Sequence, residues 1–183
     1  SRGYVEGTNI IRATWDAQDI HVEDQYFVPP DLDLVIHRMQ LHNVTDQARA
    51  IRLFAILSPH LGGGAEYKKG SCRQAFYDPQ TGAAYLEDHG GNVLAYALHL
   101  PATAWQIGQV CGQSDVHFDL EDHQLSNVSR QENAVVHLAI ERDLERLPAG
   151  ARLTIDLMVG RFKSISDAQH AVGQFRESHE HLL

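Results

Sequence analysis

At 183 residues, 43% of them hydrophobic, the chain has apolar mass for one sizeable core, and nothing in its length calls for two large domains. Its 15 basic against 24 acidic residues give a formal charge of -9 and argue against nucleic-acid binding, which needs a clustered basic face where these cations are scattered. No apolar run approaches the roughly 20 residues of a membrane span, and the opening "SRGYVEGTNI" lacks the basic and apolar regions of a signal peptide, so the sequence reads as soluble with its compartment unassigned.

The first clear element in chain order is "DIHVEDQYFVPP". Ile20, Val22, Tyr26 and Val28 alternate with His21, Glu23 and Gln25 as in a half-buried strand, and Pro29 and Pro30 stop it. "LDLVIHRMQLHNV" is extended and mostly apolar, "TDQAR" is a polar turn, and "AIRLFAILS" runs as the next strand, an order that predicts a two-strand meander. That strand feeds the loop "LSPHLGGGAEYKKGS". A phosphate-binding loop needs Gly-Lys-Ser/Thr at a fixed distance from its first glycine and a helix behind it. Counted from Gly64, those positions read Lys69-Gly70-Ser71, and a strand and hairpin follow, which argues against phosphate binding.

In "RQAFYDPQTGAAYLED", runs at 75–77 and 83–86 flank Asp-Pro-Gln-Thr-Gly, where proline presets a turn and glycine tolerates positive φ, so a hairpin is predicted. "NVLAYALHL" and "TAWQIGQV" are further strand candidates, whereas "CGQSDVHFDLEDHQLSNVSRQEN" reads as a long polar loop, a feature that tends to be functional or to lie at an interface. In "AVVHLAIERDL", Val135, His137 and Ala139 alternate with Val136, Leu138 and Ile140 as though both faces were buried; "ARLTIDLMVG" follows the turn "LPAG". Nine or ten strands with no helix between them predict an all-β antiparallel sandwich. From Ser166, a candidate N-cap, the spacing turns helical: Ala168, Ala171 or Val172, Phe175, His179 and Leu182 fall at steps of three and four. The chain thus divides into a β-sandwich domain over 1–163 and a C-terminal helix over 164–183, whose apolar stripe is still running at Leu183, as though a larger protein continued.

Chemistry-bearing residues are many and weakly patterned. His60 with Glu66, or Asp115, His117, Asp119 and His123 in the long loop, are competent zinc or iron ligands, but no cupin-type spacing accompanies them; no metal and no cofactor is assigned, and most of the 12 histidines read as solvated. Ser58, Ser71 and Ser114 lack a nucleophile elbow, and Asp115 with Asp119, or Glu121 with Asp122, read as hydrated surface acids, so no catalytic residue is assigned. Cys72 and Cys111 read as free thiols, pairing with one another being the alternative. Trp15 and Trp105 are candidate sugar-stacking residues, with core packing as the competing reading.

Taken together, "DIHVEDQYFVPPDLDLVIHRMQLHN", "RLFAILSPHLGGG", "GQSDVHFDL", "ENAVVHLAIE" and "PAGARLTIDLMVGRFKSISDA" resemble, in that order and from about Asn9 onward, the N-terminal super-sandwich domain of bacterial and archaeal glucoamylases and glucodextranases, glycoside hydrolase family 15. Related sandwiches head the sugar phosphorylases of family 94. The resemblance implies an antiparallel β-super-sandwich with a C-terminal α-helix. It also implies a non-catalytic domain that supports an (α/α)6 catalytic barrel of the same parent, acting on α-glucan. The family's catalytic glutamates lie on the barrel, so none is carried over. The "PHLGGG" loop becomes a strand-end turn facing that barrel. His60, Gly62, Gly63, Glu66, Ser114, Asp115 and Asp119 become interface or ligand candidates. Where members often carry Gly-Trp after Ser-Asp, this chain has Val116 and His117. If the chain is structural in this way, an exposed apolar patch is expected. The rivals are a family 94 N-terminal domain, a jelly-roll metalloenzyme, and a carbohydrate-binding module. The last would gather Trp15, Trp105 or several of Tyr67, Tyr77 and Tyr85 on one solvent-facing surface.

Overall fold

A computed structural model describes residues 1–30, 32–59 and 72–178. Among them, the period-2 segments form β1 (Arg2–Tyr4), β2 (Ile11–Ala17), β3 (Ile20–Phe27), β4 (Leu34–Asn43), β5 (Arg49–Leu57), β6 (Gln74–Asp78), β7 (Ala83–Glu87), β8 (Val93–Leu98), β9 (Ala104–Gln109), β10 (Arg130–Glu132), β11 (Val136–Leu147) and β12 (Arg152–Phe162). Two helices, α1 (Val116–Asp119) and α2 (Ile165–Ser178), complete the set. A nine-stranded antiparallel sheet, ordered β1-β2-β3-β4-β12-β8-β7-β6-β10, packs against a three-stranded sheet ordered β5-β11-β9. The all-β sandwich with a C-terminal helix is therefore as expected. The predicted hairpin is present too, pairing β6 with β7 from Gln74↔Glu87 to Asp78↔Ala83, with Gly82 at φ +64° closing the turn.

The large sheet is covered on both sides. On one face Val22, Leu41, Leu86, Tyr96, Leu98, Ile155 and their neighbours meet Ile107, Leu138 and Ile140 of the small sheet. On the other, Ile36, Tyr85, Val93 and Met158 meet Ala168, Val172 and Phe175 of α2. Alternation sends Ala84 and Leu86 inward and Ala83 and Tyr85 toward the helix, so the four successive residues Ala83 to Leu86 are buried. Ala83, Ala95 and Ala97 form a low floor that lets the helix sit close. No helix among the described residues is long and apolar enough to cross a membrane.

Four expectations change. The meander of β4 with β5 does not form: β4 is paired on both edges, by β3 and β12, and β5 pairs with β11 in the other layer. Two of the chain's layer changes, between β4 and β5 and between β11 and β12, meet at one residue. Buried Asn43 ties both crossings together. Its Nδ2 donates to the carbonyls of Gln47 (2.7 Å), Leu147 (3.1 Å) and Pro148 (3.0 Å), and its backbone N–H donates to the Ala151 carbonyl (3.0 Å). Secondly, Tyr26 and Val28 are 38% and 63% exposed, while Phe27 is buried in the helix-side cluster. At this end of β3 it is the helix-side residue that is covered, and alternation alone does not say which face that is. Thirdly, the long connection is partly ordered: it holds α1, a 3-10 turn at Leu120–Asp122 and β10, which pairs with β6. Finally, Ser164 rather than Ser166 caps α2, its Oγ accepting from the Asp167 N–H (3.1 Å) and donating to Asp167 Oδ2 (2.8 Å). Cys72 is buried and Cys111 exposed, and both are free thiols.

Candidate functional site

The connection after β9 folds back on the strand it leaves. Gly108 makes this contact sterically feasible, since a Cβ there would meet the Ser114 carbonyl oxygen and, at 2.7 Å, the Val116 nitrogen. Gln106, fully buried, then clamps both ends of the segment: its Nε2 donates to the Ser114 carbonyl (2.9 Å), and the Val128 N–H donates to its Oε1 (3.1 Å). Val116, Leu125 and Ala139 close a small apolar cluster beneath. Replacing Gly108 by alanine is expected to cost about 1–3 kcal/mol, because the added methyl meets backbone that cannot rotate away. Thermal unfolding measures this, and an unchanged midpoint would show that the connection is not pressed onto β9.

Within this frame Asp115 is the N-cap of α1. Its Oδ2 accepts from the Cys111 N–H (2.6 Å) and its Oδ1 from the His117 N–H (3.1 Å), and Oδ1 lies 3.3 Å from Nδ1 of His137. Burial by itself raises the pKa of this carboxyl, but the two amides and His137 together outweigh it and hold the group below the usual carboxylate range. Ser114 Oγ accepts from the Gln109 N–H (3.1 Å) and the Gln131 side chain (3.0 Å). Asp119 accepts from the Ser126 N–H (2.7 Å) and the Ser126 hydroxyl. Ser114, Asp115 and Asp119 thus each hold the segment in shape. Within α1, His117 and Phe118 turn outward, the latter 58% exposed.

Asp115, His117 and His137 come together here, with a ligand-capable atom from each lying within 4.8 Å of the others. His137 arrives from the central strand of the small sheet, where it is paired with Gly108. Of the other two metal-competent residues in the loop, Asp119 is engaged with Ser126 and His123 takes a left-handed conformation at φ +61°. The sequence reading saw His137 only as a strand residue. No local spacing links it to Asp115, 22 positions away; the pairing of β9 with β11 does.

The aromatic candidates are scattered. Trp15 is 48% exposed on β2, its Nε1 donating to Asp24 Oδ2 (2.6 Å); the other oxygen of Asp24 bonds His37 Nε2 (2.8 Å), on which Tyr26 stacks at 4.2 Å. Trp105 stacks on the buried ring of Tyr77 at 4.1 Å and donates to Ser129 Oγ (2.9 Å), while Tyr85 is fully buried. Trp15, Trp105, Tyr77 and Tyr85 do not share a solvent-facing surface. His60, Gly62, Gly63, Glu66 and Tyr67 lie outside the described residues.

The family model described as glucodextranase, domain N, matches residues 8–181. No curated protein sequence matches the chain. Among solved structures, a bacterial glucoamylase complexed with acarbose superposes with a TM-score of 0.73 at 11% identity, over 98% of this chain and 26% of the other. A protein described as a kojibiose phosphorylase from the human microbiome gives 0.53 at 10% identity over 93% of this chain and 20% of the other. One described as an aldose 1-epimerase from Escherichia coli K12 gives 0.53 at 11% identity over 88% of this chain and 68% of the other. The chain thus spans about a quarter of the length of the glucoamylase, and at such identities the likeness is one of fold.

Proposed function

Because the chain belongs to the glucodextranase domain N family, we propose that it is the non-catalytic N-terminal domain of a glucoamylase-like glycoside hydrolase acting on α-glucans. Its work is to pack against an (α/α)6 catalytic barrel of the same parent and support the loops around the substrate. The observation that carries this reading is the family match over nearly the whole chain; the superposition on about a quarter of a bacterial glucoamylase supports it.

The surface fits a domain with a covering partner. Tyr26, Val35, Ile56 and Val159 line one shallow hollow, and Val28 joins Val35 and Val159 in lining an adjoining one. Of these, Tyr26, Val28, Val35 and Ile56 are between 37% and 63% exposed. Large apolar side chains concentrated at one edge of a sandwich are what an interdomain contact removes from water. Helix α2, docked on the far side of the large sheet, would carry the chain onward to the barrel.

Two measurements test the proposal. The coding sequence downstream of Leu183 should continue into the helical hairpins of a barrel, and a stop codon there overturns the reading. Purified chain incubated with soluble starch or dextran should release no glucose, whereas the barrel-bearing parent should. Release of sugar phosphate by the parent in the presence of inorganic phosphate would move the assignment to the family 94 phosphorylases.

A further inference from the structure

We propose that Asp115, His117 and His137 form a binding site for a divalent transition metal of the Zn2+ type, which clips the connection after β9 to the central strand of the small sheet. The three ligand-capable atoms already lie within 4.8 Å of one another. A tetrahedral zinc ion with bonds of about 2.0–2.1 Å sets its ligand atoms roughly 3.3–3.4 Å apart. Asp115 Oδ1 and His137 Nδ1 stand 3.3 Å apart. That separation is long for a charge-assisted hydrogen bond, which closes to about 2.7–2.9 Å, yet it matches one edge of a metal tetrahedron.

The ligands differ in how firmly they are held, and the difference suits a site that fills from solvent. Asp115 is 5% exposed and fixed by the Cys111 and His117 amides, which leaves its carboxylate oriented before any ion arrives. His137 is half-buried on a strand paired along both edges. His117 is exposed on the single turn of α1 and stands edge-on to the His137 ring, with centroids 4.9 Å apart. A small rotation of the His117 ring closes the third bond, and water takes the fourth. Two imidazoles and one carboxylate select zinc-like ions over magnesium and calcium, which prefer all-oxygen shells. The ion would join residues from two separate parts of the chain, so its effect is on the stability of the fold.

The test uses the full 183-residue chain without an affinity tag, titrated with ZnCl2 in competition with a chromophoric chelator. One zinc ion per chain is expected, with His117→Ala weakening binding by at least about tenfold. His117 is exposed, so this variant should unfold at the wild-type temperature when zinc is withheld. At zinc concentrations about a hundredfold above Kd the wild-type midpoint should rise by roughly 5–10 °C, with no rise in MgCl2. His137→Gln, which keeps the size of the side chain, should also abolish the rise. Absence of stoichiometric zinc in the wild type overturns the proposal. So does equal zinc binding by His117→Ala, which would place the ion at other histidines.

Discussion

Asp156→Ala is expected to lower the stability of the domain by about 3–5 kcal/mol, the cost of removing one member of a buried, bidentate ion pair. Asp156 is fully buried, and Arg38, its direct cross-strand partner on β4, is 7% exposed. The pair is bidentate: Nε and Nη2 of Arg38 donate to the two carboxylate oxygens, each at 2.7 Å. The guanidinium also lies over the Phe27 ring, 5.7 Å from its centroid. Removing the carboxylate takes away both of these charge-assisted hydrogen bonds in a medium that solvates a guanidinium poorly. Removing both charges leaves no guanidinium to solvate, so Asp156→Leu combined with Arg38→Met should recover most of the loss. Urea unfolding of the two singles and the double completes the cycle. A double variant no more stable than Asp156→Ala would show that the pair is needed for more than mutual compensation.

Phe175→Ala is the second large effect, about 3–5 kcal/mol from lost burial and the cavity left behind. Phe175 is fully buried against the sheet, sharing a cluster with Ala168, Val172, Tyr85 and Ala97. Next to it, the Arg176 guanidinium donates to the carbonyls of Leu98, Thr81 and Gly82, so helix, hairpin turn and strand end are joined at one point. Burial pulls the Arg176 pKa down from its usual value. With the ring gone, α2 should become the first site of limited proteolysis, ahead of global unfolding. Phe175→Leu should keep it protected. Equal protease resistance in Phe175→Ala and wild type would mean that Arg176 with Ala168 and Val172 suffices to retain the helix.

The sequence showed where strands lie and left open which sheet each joins. Alternation along residues 20–27 and 74–87 was legible because side chains of a strand face opposite ways whatever lies opposite. The layer change at 44–48 was not, since a turn of that length serves a hairpin and a crossing equally well. The same limit governs the site. Asp115 is legible as a chemistry-bearing residue of its loop, the segment that the family resemblance also implies. His137 acquires its place only through the pairing of Val136↔Gln109 and His137↔Gly108. Ser164 and Ser166 were not separable by helical period alone, although Ser164 followed three residues later by Asp167 is a readable capping pattern.

The order of strands bears on how the domain is made. β12 sits between β4 and β8, and β11 between β5 and β9. The middle strand of each sheet is therefore among the last to leave the ribosome, and until it emerges the earlier strands have no bridge between their halves. A nascent chain halted near residue 135 would carry open edges on β4 and β8, with β5 and β9 unpaired, a state prone to self-association. Successful synthesis thus depends on late, long-range closure, and chaperones that shield unpaired strands during elongation should matter more for this domain than for one assembled from consecutive hairpins.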